Sequence, residues 1–352
     1  MSTTLSLSAD AIAEVDISRQ VGETLGLSEH LRDALWRVES ANLKPHDSPR
    51  GLVVAGMGGS SIGGALARAA LGDRASRPIV LARDYGLPSW TTPDTTVLCG
   101  SYSGNTEETL AAYEAAQALG ATTVVATTGG KLADLARADG VPVIPIPGGF
   151  QPRVAVGYAL VVALEVAALC GAGEQLRSEI DVAAAHAEVL VQRWGPNAGD
   201  NNLAKTLARG LHGTIPQICG AGLTGAVAYR WKTQINENAK LPAFASDLPE
   251  LDHNEIAGWD GARGLGPFSA VFLDDSDLHP RVRQRIELTR GLIASRGAPT
   301  FRVDTVGQTR LERLVSALLL GDLVSLYLAV LRGVDPAPVE AIDSLKAALD
   351  QG

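Results

Sequence analysis

The stretch LCGSYSGNTEETL, Leu98 to Leu110, joins an apolar run to the opening of a helix. Between the two it sets Ser101, Ser103 and Thr106, with Gly100 and Gly104 beside them. The run TTVLCG (95–100) has the length and β-branched content of a short buried strand, and TEETLAAYEAAQALG (106–120) reads as a helix with acidic residues in its first turn. A strand that passes through a polar loop into a helix is the building unit of a parallel sheet. Thr106 stands where a helix N-cap belongs, and taken alone it needs no other role. Three hydroxyls and Gly104 within six residues are more than capping requires. A phosphate monoester presents several acceptor oxygens, and serine and threonine hydroxyls with backbone amides answer them without a buried cation. The loop therefore reads as a phosphate site.

Outward from this loop the same rhythm repeats. GLVVAG (51–56), PIVLAR (78–83), ATTVVATT (121–128) and VPVIPI (141–146) read as strands, with helices in SSIGGALARAALG and KLADLARADG between them. Helical spacing over 8–43 precedes them and ends at KPHDSPRG, while PIPGGFQPR (145–153) closes the first series. Two helices, over 154–172 and 176–193, lead into a second series. It has strands in GTIPQICGAG (213–222), PFSAVFL (267–273) and PTFRV (299–303), and helices over 223–238, 280–295 and 308–331. The expectation is an α/β protein of two doubly wound parallel-sheet domains with flanking helices. The division falls at 1–152, with the leading helices, and 153–352, with the connector helices, the second sheet and a closing helix.

The chain has 352 residues, enough for two domains. With 46% apolar and 20% charged residues it has a globular composition, and its net charge of −9 disfavours a nucleic-acid surface or an anionic membrane face. Cys99, Cys170 and Cys219 lack any CxxC spacing, which points to free thiols in a reducing compartment, the cytoplasm. The N-terminal MSTTLSLSADAIAEVDIS lacks a basic region ahead of a long apolar core, so no signal peptide is expected. The apolar VAVGYALVVALEVAALCGAG (154–173) is interrupted by Glu165 and reads as a buried helix rather than a membrane span.

A second glycine-rich loop, GMGGSSIGG (56–64), also leaves a strand for a helix. Gly56 and Gly58 fit the first two glycines of G-x-G-x-x-G, but Ser61 takes the third place, and Asp84 is the nearest acidic residue after the second strand. A dinucleotide site is therefore disfavoured. The six histidines (30, 46, 186, 212, 253 and 279) show no H-x-H or H-E-x-x-H spacing, which disfavours a zinc enzyme.

SYSGNTEET resembles the phosphate-binding signature of sugar isomerase (SIS) domains. GMGGSSIGG, NENAK and PELDHNEIAGW together resemble the bifunctional phosphoglucose/phosphomannose isomerase family, and the likeness runs to the PVEAIDSLKAAL tail. The resemblance implies an aldose–ketose isomerase that interconverts glucose 6-phosphate and mannose 6-phosphate with fructose 6-phosphate through a cis-enediol, using no metal or cofactor. It also implies that Ser60 joins Ser101, Ser103 and Thr106 around the phosphate, with Gly59 allowing close backbone approach.

Such a reaction needs a base to carry a proton between C2 and C1, groups to open the ring, and a cation for the enediolate. Glu237 in WKTQINENAKLP ends a mainly uncharged helix before Pro242; it is either a surface glutamate paired with Lys240 or a loop-facing carboxylate, and the resemblance makes it the base. His253 lies in a polar stretch with Asp252, Asn254 and Glu255; the resemblance assigns it to ring opening, delivered from a neighbouring subunit of a homodimer. Asp252 departs from the asparagine expected there, a change able to alter the histidine's pKa. Arg153 either satisfies carbonyls in a turn or stabilises enediolate charge, and the family's PR motif favours the latter. Val339, Ile342, Leu345 and Leu349 mark one face of a closing helix that should dock on something. Lys346 beside that face is a substrate contact by resemblance and a snorkelling surface lysine otherwise. A non-catalytic SIS sensor would keep the serine loop without needing Glu237, His253 and Arg153 together. An amino-sugar isomerase would not be expected to pair NENAK with DHNEI.

Overall fold

A computed structural model describes residues 6–349. Three helices, α1 (Ala9–Val15), α2 (Gln20–Leu25) and α3 (Leu27–Ser40), lead into β1 (Leu52–Ala55), α4 (Gly58–Leu71), β2 (Ile79–Ala82) and β3 (Thr96–Ser101). Next come α5 (Glu107–Leu119), β4 (Thr122–Thr127), α6 (Gly130–Ala138) and β5 (Val143–Pro145). All five strands are parallel, in the order β2-β1-β3-β4-β5. The chain winds from β1 to β2 in one direction and then returns past β1 to β3. The order thus reverses between β1 and β3, and ligands of open α/β sheets collect at such a reversal, outside the carboxyl ends of the strands. Both glycine-hydroxyl loops leave the sheet there, one after β1 and one after β3.

Helices α7 (Val156–Leu169), α8 (Arg177–Trp194) and α9 (Leu203–Leu211) connect to β6 (Ile215–Gly220) and α10 (Leu223–Ala239). Then follow β7 (Phe244–Asp247), α11 (Trp259–Ala262), β8 (Phe268–Asp274), α12 (Pro280–Ser295), β9 (Thr300–Asp304), α13 (Arg310–Leu331) and α14 (Glu340–Leu349). The second sheet is also parallel, in the order β7-β6-β8-β9. Its fourth strand was not legible in the sequence: Phe244–Asp247 reads FASD, without a β-branched residue, and its pairing with β6 makes it a strand. The same holds for α9, and for the two 3₁₀ turns at Glu250–His253 and Glu255–Gly258, where the sequence shows only a polar stretch.

One apolar cluster runs from Leu7 to Leu331 through α3, α4, α7, α10 and α13, so the two sheets share a helical middle layer. Separate clusters cover their outer faces, under α5 and α6 on the first and beside α12 on the second. Helix α13 is apolar and long enough to cross a membrane by length and composition, yet its apolar window is wholly buried within the protein. Helix α7 is buried as expected, and Glu165 within it meets Arg177 at 2.9 Å.

Candidate functional site

The hydroxyl loop is held by its own bonds. Thr106 occupies the N-cap position of α5 but makes no capping bond with its side chain; its hydroxyl instead lies 2.9 Å from that of Ser101. The capping role that would explain Thr106 without a ligand is therefore not the one it plays, and the amides of the first turn of α5 receive no bond from it. Ser101 Oγ accepts from Gly104 N at 3.0 Å, and Ser103 Oγ, exposed, accepts from Asn105 N at 3.2 Å. Gly104 has φ +70°, and a Cβ there would stand 1.8 Å from the carbonyl oxygen of Gly129, so backbone conformation and space both demand glycine. Tyr102, between the serines, reaches away from the loop: its hydroxyl accepts from Phe150 N at 2.8 Å and tethers the segment that ends at Arg153.

The first loop meets the second directly. Ser60 lies beside Gly100, its Cβ 3.5 Å from where a side chain at Gly100 would begin. Ser61, by contrast, is buried and accepts from Arg83 Nε at 2.6 Å, leaving Ser60 as the serine of this pair that faces the loop. A Cβ on Gly59 would lie 2.7 Å from the carbonyl oxygen of Pro152, so the start of α4 abuts the residue before Arg153. A hollow of about 30 Å³ behind these loops is far too small for a sugar.

Arg153 and Glu237, 84 positions apart in sequence, form an ion pair at 3.3 Å (Nη1 to Oε2). Arg153 is only 3% exposed. Its Nε donates to Asn238 Oδ1 at 2.7 Å, and its Nη2 lies near Gln20 Oε1 (3.2 Å) and the carbonyls of Pro336 (2.7 Å) and Ala337 (2.9 Å). Burial draws its pKa below the usual arginine value, opposed by the charge of Glu237. The backbone is held as firmly: Arg230 donates to the Arg153 carbonyl at 2.8 Å while making a two-pronged, buried pair with Asp322. Asn238, beside Glu237 in the quoted motif, thus proves to be a support, and it is itself bonded to Ser325 Oγ at 2.9 Å. Gln20 and the carbonyls of 336 and 337 carried no sequence signal, since nothing local marks a residue that meets its partner across 133 or more positions.

Lys240 does not neutralise Glu237. Its ammonium donates to the backbone carbonyls of Glu237 and Pro336, each at 2.7 Å, while the carboxylate turns to Arg153. The expectation of an ordinary surface pair is therefore set aside by the geometry. Glu237, Lys240, Asn236, Asp335, Val339 and Ile342 line a cavity of about 710 Å³, within the range that takes small-molecule ligands.

The two remaining candidates stand apart from this cluster. The His253 imidazole is exposed and makes no hydrogen bond or ion pair among the described residues. Asp252 does not act on it through a direct bond: its carboxylate meets Arg285 at 3.1 Å and Thr289 at 2.7 Å, both on α12. Glu255 is committed to Ser246 and Gln217. Lys346 lies on α14, where no residue is buried and where Ile342, Leu345 and Leu349 are 39%, 63% and 58% exposed. The apolar face of that helix therefore meets no docking surface in its own chain among the described residues.

Comparison with known proteins adds the relationships. Residues 200–349 match the model of the bacterial phospho-glucose isomerase C-terminal SIS domain. The chain is 42% identical over 310 residues to a bifunctional phosphoglucose/phosphomannose isomerase of Caldicellulosiruptor bescii, covering 87% of this chain and 91% of that one. A protein of the same description from Aquifex aeolicus is 35% identical, over 89% of this chain and 94% of the other. Among solved structures, hypothetical protein TT0462 of Thermus thermophilus superposes with a TM-score of 0.76 at 15% identity, covering 97% of this chain and 93% of that one, a likeness of fold. With relatives so similar along most of its length, the chain belongs to the bifunctional phosphoglucose/phosphomannose isomerase family.

Proposed function

We propose that this aldose–ketose isomerase acts on glucose 6-phosphate and mannose 6-phosphate, forming fructose 6-phosphate, with Glu237 as the base and Arg153 as the cation beside it. The observation that carries the reading is the Arg153–Glu237 pair at the edge of a cavity large enough for a sugar phosphate. Glu237 would take the proton from C2 of the open-chain aldose and return it to C1. Negative charge then grows on the enediol oxygens, where the Nη1 edge of Arg153 can meet it. Among the described residues that edge has only Glu237 and a long 3.5 Å contact to Gln151 as partners. Both aldoses give the same enediol, and one base serves either when C2 presents the matching face to it.

In this reading Ser60, Ser101, Ser103 and Thr106 receive the phosphate, with Gly59 allowing close approach. The unfilled N-cap of α5 supports it, as does the position of both loops at the strand-order reversal. His253 opens the ring of a substrate held by a partner protomer in a homodimer; its exposure, and the absence of a side-chain partner among the described residues, are consistent with that service. Lys346 completes the site from α14. The domains divide at 152/153, and the enzyme works in the cytoplasm, where Cys99, Cys170 and Cys219, all buried, remain thiols.

The test is a coupled assay of EDTA-treated protein with each aldose phosphate. Turnover of both supports the dual metal-independent reaction, and turnover of one narrows the substrate. Binding of a sugar phosphate without turnover of either would replace the reading with a sensor.

A further inference from the structure

We propose that Lys240 is a positioning residue of this site: its ammonium clamps the carboxyl end of α10, which carries Glu237, to the strap of residues 332–339 between α13 and α14, and the clamp releases when the ammonium loses its proton. The inference rests on the reading of Glu237 as the base.

The geometry is specific. Lys240 Nζ lies 2.7 Å from the carbonyl oxygen of Glu237, 3.4 Å from that of Asn238 and 2.7 Å from that of Pro336. Arg153 Nη2 donates to the same Pro336 oxygen at 2.7 Å and to the next carbonyl, Ala337, at 2.9 Å. Two cations thus converge on one turn of the strap, and each is also bonded to the segment 237–238, Arg153 through Glu237 and Asn238. The strap supplies Val334, Asp335, Pro338 and Val339 to the wall of the cavity that Glu237 lines. Whatever loosens it changes both the wall and the carboxylate.

The backbone of Lys240 separates this role from simple helix termination. The residue ends α10 in the left-handed region (φ 51°, ψ 41°), where glycine is the less strained choice. A helix stop alone would be served at least as well by glycine. What glycine cannot supply is the ammonium that returns to the last carbonyls of the helix and crosses to the strap.

The clamp is placed to respond to pH. Burial, aided by the charge of Arg153 and opposed by those of Asp335 and Glu237, lowers the Lys240 pKa to about 8. Glu340, at the start of α14, lines the same cavity. Loss of the proton replaces charged donors with the weaker ones of an amine. Because the folded-state pKa lies below the ordinary lysine value, the unfolded chain holds this proton more tightly, and the group's linkage makes global stability rise with pH through that window. An alkaline loss of activity from this cause therefore comes without a fall in melting temperature from the same group.

The experiment compares the full-length protein with K240R and K240G. It measures kcat against pH, the melting temperature, and hydrogen exchange of strap amides corrected for intrinsic rate. In the wild type, kcat should fall about tenfold per pH unit above the lysine's transition, with faster strap exchange over the same range. K240R, whose cation does not titrate there, should hold both flat to about pH 9.5. K240G should melt no lower than wild type yet lose about tenfold to a hundredfold in kcat at neutral pH, with the strap already open. An unchanged alkaline fall in K240R, or full kcat and a protected strap in K240G, would overturn the inference. If the wild type itself turns over neither aldose phosphate, the reading of Glu237 as the base fails, while the exchange data still decide whether the clamp exists.

Discussion

Arg153 commits its five N–H donors unevenly. The Nε and Nη2 sides are held by Asn238, Gln20 and two backbone carbonyls, and only Nη1 faces Glu237. A guanidinium anchored on one edge presents the other at a fixed position, so little reorganisation is needed when charge develops beside it. Glu237, 29% exposed at the side chain, sits between that edge and the open cavity, the placing a proton carrier needs. Glu237→Gln keeps the size of the side chain and an oxygen for Arg153 but cannot take a proton. We expect kcat to fall by about 10²–10⁴ with the melting temperature nearly unchanged. Steady-state kinetics checks this, and a variant within tenfold of wild type would remove Glu237 from the role.

For the element, the informative case is the β3–α5 loop. Its form is set by Gly104, by the Ser101–Thr106 contact and by the Tyr102 hydroxyl, which ties it to the segment before Arg153. A loop so braced holds its hydroxyls in place before any ligand arrives. Gly104→Ala must leave the left-handed region and push against the Gly129 carbonyl. We expect a loss of ~2 kcal/mol or more in stability and a rise in KM larger than the fall in kcat, because phosphate contacts are shared by ground and transition states. Calorimetry with kinetics tests the pair; an unchanged KM in a destabilised variant would place the phosphate elsewhere.

On the scale of the whole molecule, the two sheets repeat one design but offer different strand ends. The reversal in the second sheet falls between β6 and β8, and its loops are filled by the protein itself. Thr224 Oγ1 bonds to Ala221 and Leu273, Asp275 pairs with Arg313 at 2.8 Å, and Asp274 pairs with Arg302 at 2.8 Å. The second reversal thus closes on its own ion pairs while the first keeps exposed and half-buried hydroxyls. If His253 serves the partner's site, protomers carrying Glu237→Gln and His253→Ala should complement each other. Random reassociation would leave half the molecules mixed, each with one intact site, so about a quarter of wild-type activity should return. Activity no greater than the sum of the separate variants would return His253 to its own subunit or to the surface.

Much of this molecule was determined by the sequence alone, for physical reasons that are local. Strand, loop and helix alternate with a period that only a covered parallel sheet satisfies, and GMGGSS and SYSGNT lie where such strands end. Those patterns depend on neighbouring residues, so they survive in one dimension; the short, Ala- and Ser-bearing β7 does not, because its pairing with β6 alone makes it a strand. Tertiary structure alone decided that Thr106 turns to Ser101 rather than capping α5, and that Glu237 faces Arg153 rather than Lys240. It also brought Gln20, Arg153, Asn238 and Pro336 to one point. A side chain's partner is chosen by whatever the fold carries to within 3 Å or so, and between positions 84 to 183 apart no local pattern records that choice.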